Sequence, residues 1–148
     1  MTNEGTSGGG LSHRILKRIQ INAKPAKVWP FLIEPAFMEK WLPKPIGFEP
    51  VIGHRFIFAS ECDGVLSEIQ SEVLAIAEFE EIKFSWIDPS IDLESVISIE
   101  LEQVGDTTHL TLSQQGWRRD SPTRQRHALT WQQCLEDLCS LVNSSADN

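Results

Sequence analysis

Apolar and polar residues alternate through the middle of the chain, a period that is typical of β-strands with one buried face. The inward positions of this alternation are Phe56 and Phe58, then Ile82, Phe84 and Trp86, then Leu93, Ile97, Ile99 and Leu101, and finally Thr108, Leu110 and Leu112. Residues 65–77 predict a further, long strand, whose mixed alternation is compatible with a bulge. The pattern as a whole predicts an antiparallel sheet with one apolar face.

The period changes near the end of the chain. Ser121 is a typical N-cap, with Pro122 at the first helical position, and the helix predicted from there runs to about Asn143. Its apolar residues follow 3-4-3-4 spacing and are Ala128, Trp131, Leu135, Leu138 and Val142. We therefore expect a long helix that packs one stripe against the sheet.

The N-terminal part combines one strand with short helices. Residues 15–21 predict the first strand, and Pro25 suits the first position of a helix. Pro30 should kink or shorten this helix, because proline lacks a backbone N–H. Pro35 ends it, and a second short helix is expected to carry Trp41.

Turn signals separate the predicted strands. Asp63-Gly64 predicts a tight hairpin, because a type I′ turn needs positive φ at both central residues. Residues 88–90 and 105–106 predict two further turns. These breaks leave about six or seven strands in the sheet.

The order of elements predicts an α+β fold. Two short helices follow the first strand, and a curved antiparallel sheet wraps around the long C-terminal helix. Residues 1–12 are polar and glycine-rich, so we expect them to form a disordered leader. Residues 13–143 would form the single domain, and residues 144–148 a disordered tail.

The same order of motifs is found in a known family. The motifs are the helix start Ala23–Trp29, the lone Trp41, the run Phe48–Gly53, the hairpin exit Gly64–Leu66, the strand Thr107–Leu112, and Trp131, Leu135 and Leu138 of the final helix. Together they resemble the activator-of-heat-shock-protein-90-ATPase-like branch of the START-like (SRPBCC, Bet v-type helix-grip) superfamily. The resemblance covers roughly residues 14–142. It departs from the family pattern at Gly53-His54 and Thr130-Trp131, where Gly-Gly and Gly-Trp are usual, and at Pro30.

This resemblance implies a helix-grip domain with a hollow between sheet and helix. Relatives bind lipids, hormones or polyketides in the hollow, a few are cyclases, and one branch activates a chaperone. The family thus implies a binding cavity more firmly than any reaction. It also implies a role in stress response for some members.

Composition narrows the choice of partners. The 148 residues suit one domain, and a hydrophobic fraction of 41% suits a globule with a core. A net charge of −8 opposes nucleic acid or an anionic membrane as a partner. We expect no membrane span and no export signal, and therefore a cytoplasmic location.

The three cysteines favour neither a disulfide framework nor a metal site. Cys134 and Cys139 point in different directions on the predicted helix, and Cys62 lies far away in sequence. Free thiols in a reducing compartment are the simpler interpretation. Neither a CxxC motif nor a Cys/His ligand spacing occurs, so we predict no metal and no cofactor.

Inward residues are the candidate ligand contacts. The apolar candidates are Trp41, Phe56, Phe58, Trp86, Ile97, Leu112, Trp131 and Leu135. They would either line a pocket or fill the core. Ser95 and Gln114 lie on the same inward rows and need hydrogen-bond partners, which a ligand, a water or the protein could supply.

Two charged candidates lie at the start of the long helix. Arg124 and His127 share a stripe with Trp131, and together they could anchor the carboxylate or phosphate of an amphipathic ligand. Alternatively, Arg124 extends past the core into water and His127 is an ordinary boundary residue.

Three hypotheses on function follow. The first is non-enzymatic binding of a small apolar or amphipathic molecule in a cavity between sheet and helix. The second is a protein-interaction module of the co-chaperone type, with a chaperone as partner. The third is a cyclase or hydrolase that acts on an aromatic or polyketide substrate, although the sequence contains no convincing catalytic set. Ligand identity and oligomeric state are not determined by the sequence.

Overall fold

The structure is a computed structural model that describes residues 14–62, 64–117 and 122–144. Its elements, in chain order, are β1 (Ile15–Ile21), α1 (Pro25–Val28), α2 (Pro30–Ile33), α3 (Pro35–Met38), β2 (Lys44–Ile46), β3 (Arg55–Cys62), β4 (Val65–Ala77), β5 (Glu81–Asp88), a short 3-10 turn (Pro89–Ile91), β6 (Leu93–Val104), β7 (Thr107–Gln115) and α4 (Pro122–Ser144). The predicted leader, Asp63 of the hairpin, the N-cap Ser121 and residues 145–148 of the predicted tail lie outside the described residues.

The strands form one seven-stranded antiparallel sheet in the order β1-β7-β6-β5-β4-β3-β2. Strands β2 to β7 each pair with their neighbours in sequence, while β1 pairs with β7. Helix α4 packs its apolar stripe against one face of this sheet. The predicted α+β helix-grip fold is therefore confirmed.

Alternation identifies the buried face correctly. In β5, Ile82, Phe84 and Trp86 are buried, whereas Lys83 and Ser85 are partly exposed. Each fully buried large apolar side chain contributes about 1.5–3 kcal/mol relative to an exposed one. The sheet face and the helix stripe consequently form one continuous core.

Proline divides the predicted first short helix into two. Helix α1 ends at Val28, and Pro30 begins α2, because Pro30 has no N–H to continue the hydrogen bonds of α1. Pro35 begins α3 in the same way, so each of the three short helices has proline in its first turn. Three short helices thus occupy the region in which two were expected.

Trp41 lies beyond the helix that was expected to carry it. Helix α3 ends at Met38, and Trp41 follows in a turn. Its indole N–H donates to the carbonyl of Phe31 at 2.8 Å, and its side chain is buried. Trp41 therefore ties this turn to α2.

The mixed alternation of β4 has a structural cause. The register with β5 shifts between Val73 and Ala75, which leaves Leu74 exposed. Such a bulge shifts the following residues relative to the partner strand.

No described helix has the length and the apolar character required to cross a membrane.

Candidate ligand-binding site

A cavity of about 420 Å³ lies between the first half of α4 and one end of the sheet. The residues of the sheet side and of the adjoining loops are Pro43, Ser60, Glu61, Ser67, Ile69, Trp86, Asp88 and Ile91. The residues that α4 contributes are Thr123, Arg126, His127, Thr130, Trp131 and Cys134. The end of β3, the start of β4 and the end of β5 meet here because consecutive strands pair as hairpins.

Two tryptophans form the floor of the cavity. The rings of Trp86 and Trp131 meet edge to face, with centroids 5.3 Å apart. Behind them, the ring of Phe58 lies 5.1 Å from Trp86 and 5.5 Å from Phe84. This aromatic cluster fills the deeper space, so the cavity is confined to the end of the sheet.

A chain of buried hydrogen bonds links the ring of Trp131 to the backbone of Trp86. Trp131 Nε1–H donates to Gln114 Oε1 at 2.9 Å, and Gln114 Nε2–H donates to Ser95 Oγ at 2.9 Å. Ser95 Oγ–H then donates to the carbonyl of Trp86 at 2.8 Å. The chain crosses from α4 over β7 and β6 to β5. Ser95 and Gln114 are thus satisfied by the protein, and the chain fixes the indole of Trp131. It reaches Trp86 only at the backbone, and the buried ring N–H of Trp86 has no hydrogen-bond partner among the described residues.

The inward rows become polar where the cavity begins. Ser60 follows Phe58 on the same side of β3, and its cross-strand partner is Ser67 of β4. Ser67 in turn precedes the buried Ile69. Both hydroxyls border the cavity, so a ligand would meet polar groups at the rim and carbon at the floor.

Asp88 is the last inward residue of β5. Its side chain is only 6% exposed, and Oδ1 accepts hydrogen bonds from Ser90 N–H at 3.0 Å and from Ser90 Oγ–H at 2.6 Å. These bonds cap the short turn that places Ile91 on the cavity rim. The carboxylate therefore has a structural task beside its position at the site.

His127 borders the cavity with a defined ring orientation. Its Nδ1 lies 3.1 Å from the carbonyl oxygen of Thr123, and the ring contacts Trp117 edge to face at 4.9 Å. A carbonyl oxygen only accepts, so Nδ1 carries the hydrogen. In the neutral ring, Nε2 is then an acceptor.

Cys134 contributes a protonated thiol to the side of the cavity that α4 forms. Burial raises its pKa from 9.0 to about 11, and the nearby negative charge of Asp137 adds to this effect. Because the thiolate is the reactive form, Cys134 is a weak nucleophile at neutral pH. Within the described ranges, no three His, Cys, Asp or Glu side chains are grouped so that they could hold a metal ion.

The structure brings three of the candidate residues to the cavity lining, namely Trp86, His127 and Trp131. The candidates that are not on the lining are Trp41, Phe56, Phe58, Ser95, Ile97, Leu112, Gln114, Arg124 and Leu135. Most of these are fully buried in the core behind the floor. Their role as ligand contacts stays a prediction.

Sequence reasoning missed much of the rim. Ser60 continues the row of Phe56 and Phe58 at the next i+2 position, so strand alternation could have placed it. Cys134 lies three residues after Trp131, which places both on neighbouring parts of the helix surface. Ser67 belongs to the irregular strand β4, where alternation gave no reliable assignment.

Comparison with known families gives one match over most of the chain. The family model described as Activator of Hsp90 ATPase homolog 1-like protein matches residues 22–143. No curated protein matches the chain.

Solved structures share the fold. Protein MLL2253 from Mesorhizobium loti is 31% identical, with a TM-score of 0.80 over 88% of this chain and 97% of that one. DynU16, from the dynemicin biosynthetic locus, is 15% identical, with a TM-score of 0.78 over 90% of this chain and 48% of that one. The Aha1 dimer of Colwellia psychrerythraea is 20% identical, with a TM-score of 0.70 over 87% and 95%. The last two similarities concern the fold alone.

Proposed function

The chain belongs to the family of Activator of Hsp90 ATPase homolog 1-like proteins, and we propose that it binds a small apolar or amphipathic molecule without catalysing a reaction. The binding site is the cavity between the sheet and α4. One observation carries the proposal, namely the space of about 420 Å³ above the Trp86–Trp131 floor. Pockets for small molecules usually measure roughly 300–1,000 Å³ and combine apolar walls with few polar groups.

The distribution of polar groups supports an amphipathic ligand. Ile69 and the two tryptophans offer carbon and aromatic faces, while Ser60, Ser67 and the charged rim lie toward the opening. An apolar group would bury its surface against the floor, at about 25 cal/mol per Å². Its polar end would keep contact with the hydroxyls and with water.

The chemistry of the site favours binding over reaction. The raised pKa of Cys134 disfavours a thiolate nucleophile, and Asp88 already accepts two hydrogen bonds from Ser90. His127 is the group on which a cyclase or hydrolase alternative would depend, because Nε2 could accept a proton. Turnover that is lost in His127→Gln would support that alternative.

Titration with the fluorescent aromatic anion 1-anilinonaphthalene-8-sulfonate tests the proposal. We expect saturable binding at one site, quenching of tryptophan emission, and at least about tenfold weaker binding in Thr130→Phe, because the larger side chain occupies the cavity. Leu129→Phe is the matched control, since Leu129 immediately precedes Thr130 on α4 and is 72% exposed.

Circular dichroism must show that both variants are folded, because this probe also binds partly unfolded chains. Equal affinities of the Thr130 and Leu129 variants would contradict binding in the cavity. Native mass spectrometry of freshly purified protein should additionally reveal a bound small molecule.

A second candidate function is protein interaction of the co-chaperone type. It is favoured by Val51 and Ile52, which are 57% and 61% exposed in the loop between β2 and β3. Recovery of a chaperone from a lysate, lost in the double variant Val51→Ser, Ile52→Ser, would support it.

The free thiols of Cys134 and Cys139 support our further proposal of a reducing, cytoplasmic location.

A further inference from the structure

The face of the sheet opposite α4 carries a second depression, of about 380 Å³, across β1, β7, β6 and β5. Its centre consists of short hydroxyl side chains. Ser113 pairs with Ser98 across β7 and β6, and Thr111 is the next outward residue of β7. We call this depression the outer trough.

Longer side chains form the walls of the outer trough. One cross-strand row runs from Leu16 over Ser113 and Ser98 to Lys83, and thus spans three strand spacings or roughly 14 Å. Arg18 on β1 and Arg14, the residue before β1, flank Leu16 on the same outward side. The trough exists because serines lie between these long side chains.

The outer trough is positively charged on an acidic protein. Its lining contains three cations, Arg14, Arg18 and Lys83, against the single carboxylate of Glu100. The ion pairs that link described residues involve other cations, as in Arg55–Glu72. With a net charge of −8 for the whole chain, this concentration of positive charge favours an anion at this place.

We propose that the outer trough is a second ligand site, which binds the phosphate group of a small phosphorylated organic molecule. Two guanidinium groups, one ammonium group and the hydroxyls of Ser98 and Ser113 supply more donors than the two oxygens of a carboxylate can accept, whereas a phosphate has three terminal oxygens. Guanidinium groups also match phosphate oxygens in pairs. Glu100 is the cross-strand neighbour of Thr111 and repels an anion at that position, so the phosphate lies nearer to Ser98 and Ser113.

The organic part of the ligand has an apolar surface beside the cations. Leu16 and Val96 both line the trough and are partly exposed. They lie on neighbouring outward rows, because Leu16 pairs with Ser113 and Val96 pairs with Gln115. An aryl or alkyl phosphate would therefore bind more tightly than inorganic phosphate. The outer trough and the cavity lie on opposite faces of the sheet, so the two sites can be tested independently.

The test is a titration followed by amide chemical shifts in two-dimensional NMR, with phenyl phosphate and inorganic phosphate as probes. We expect saturable shifts at Ser98 and Ser113, with phenyl phosphate binding more tightly. Arg18→Ala and Lys83→Ala should each weaken binding by about tenfold. Arg55→Ala removes a cation that does not line the trough and should leave the affinity unchanged.

Several outcomes would overturn the proposal. Equal weakening by Arg55→Ala would indicate general attraction of anions to the surface. Shifts clustered at Trp86 and Trp131 would assign phenyl phosphate to the cavity. Equal affinity for inorganic phosphate would refute the contacts with Leu16 and Val96. Binding to phosphatidic acid vesicles without binding of phenyl phosphate would assign the trough to a membrane surface instead.

Discussion

The two halves of α4 share one stripe but meet different surroundings. In the C-terminal half, Leu135, Leu138 and Val142 are completely buried in the core. In the N-terminal half, Trp131 is buried on one side and borders the cavity together with His127. The C-terminal half is packed completely into the core, whereas the N-terminal half leaves accessible space beside it.

The chemistry of the facing strands accounts for this difference. Apolar space in a protein is filled to crystal-like density, because an empty apolar void loses its van der Waals contacts. Near Ser60, Ser67 and Asp88, polar groups can hold water when no ligand is present. The comparison teaches that, in this protein, the cavity lies where the inward rows of the sheet change from apolar to polar.

The largest effect on stability should come from the C-terminal half of α4, which is packed completely into the core. Leu135→Ala should lower the free energy of unfolding by about 2–5 kcal/mol, because it creates a cavity in filled space. Urea unfolding measures the loss. Affinity for the probe, determined on the folded fraction, should remain within about twofold of the original. Leu129→Ala is the control and should change stability by less than about 0.5 kcal/mol. A strong loss of probe affinity in Leu135→Ala would contradict the division into two halves.

The hydrogen-bonded chain at the boundary of the halves should have the next largest effect. Gln114→Leu keeps a similar side-chain size but leaves the indole N–H of Trp131 without its acceptor. We expect a loss of about 1–3 kcal/mol in stability and a shift in tryptophan emission. Gln115→Leu is the control, because Gln115 is the exposed neighbour of Gln114 on β7. An unchanged melting temperature in Gln114→Leu would mean that the chain does not stabilise the boundary.

The pKa of Cys134 provides a pH test of the part of α4 that borders the cavity. The folded pKa of about 11 exceeds the ordinary 9.0, so the folded state binds the proton more tightly. Its contribution is fully present below pH 9 and is lost as the pH rises through 11, on the order of 1 kcal/mol after allowance for partial exposure. Unfolding of the original chain and of Cys134→Ala between pH 8 and 11 measures it. Parallel stability curves for the two proteins would contradict the raised pKa.

The smallest effect on stability should come from the rim. The double variant Ser60→Ala, Ser67→Ala should change the free energy of unfolding by less than about 0.5 kcal/mol. It should nevertheless weaken binding of the amphipathic probe by about two- to tenfold, because the hydroxyls are lost as hydrogen-bond partners. Thr107→Ala, at the far end of β7, is the control. Unchanged affinity would remove the rim from the site.

Periodicity was sufficient for the fold but only partly for the site. The alternation through Ile82, Phe84 and Trp86 and the spacing of the α4 stripe gave the buried faces directly, because both depend on local geometry alone. Pro30 was identified as a disruption, although the resulting split into α1 and α2 also depends on how the chain packs.

The rest of the site depends on distances that no local pattern contains. Gln114 accepts from Trp131, which is 17 residues away, and this partner follows only from the position of α4 over the sheet. The bulge at Leu74 interrupts the alternation of β4, so Ser67 could not be assigned to a face with certainty. The lining of the cavity was therefore incomplete until the helix and the three strand ends were placed together.

The bond from Trp131 to Gln114 has a consequence for the axial position of α4. The contacts of the apolar stripe are non-directional, so they oppose a shift of the helix by one turn, about 5.4 Å, through packing alone. The indole N–H has a single acceptor in a single place, and any such shift would strand it in a dry environment. This directional bond thus helps to fix the register of the closing helix, and with it the dimensions of the space that a ligand would enter.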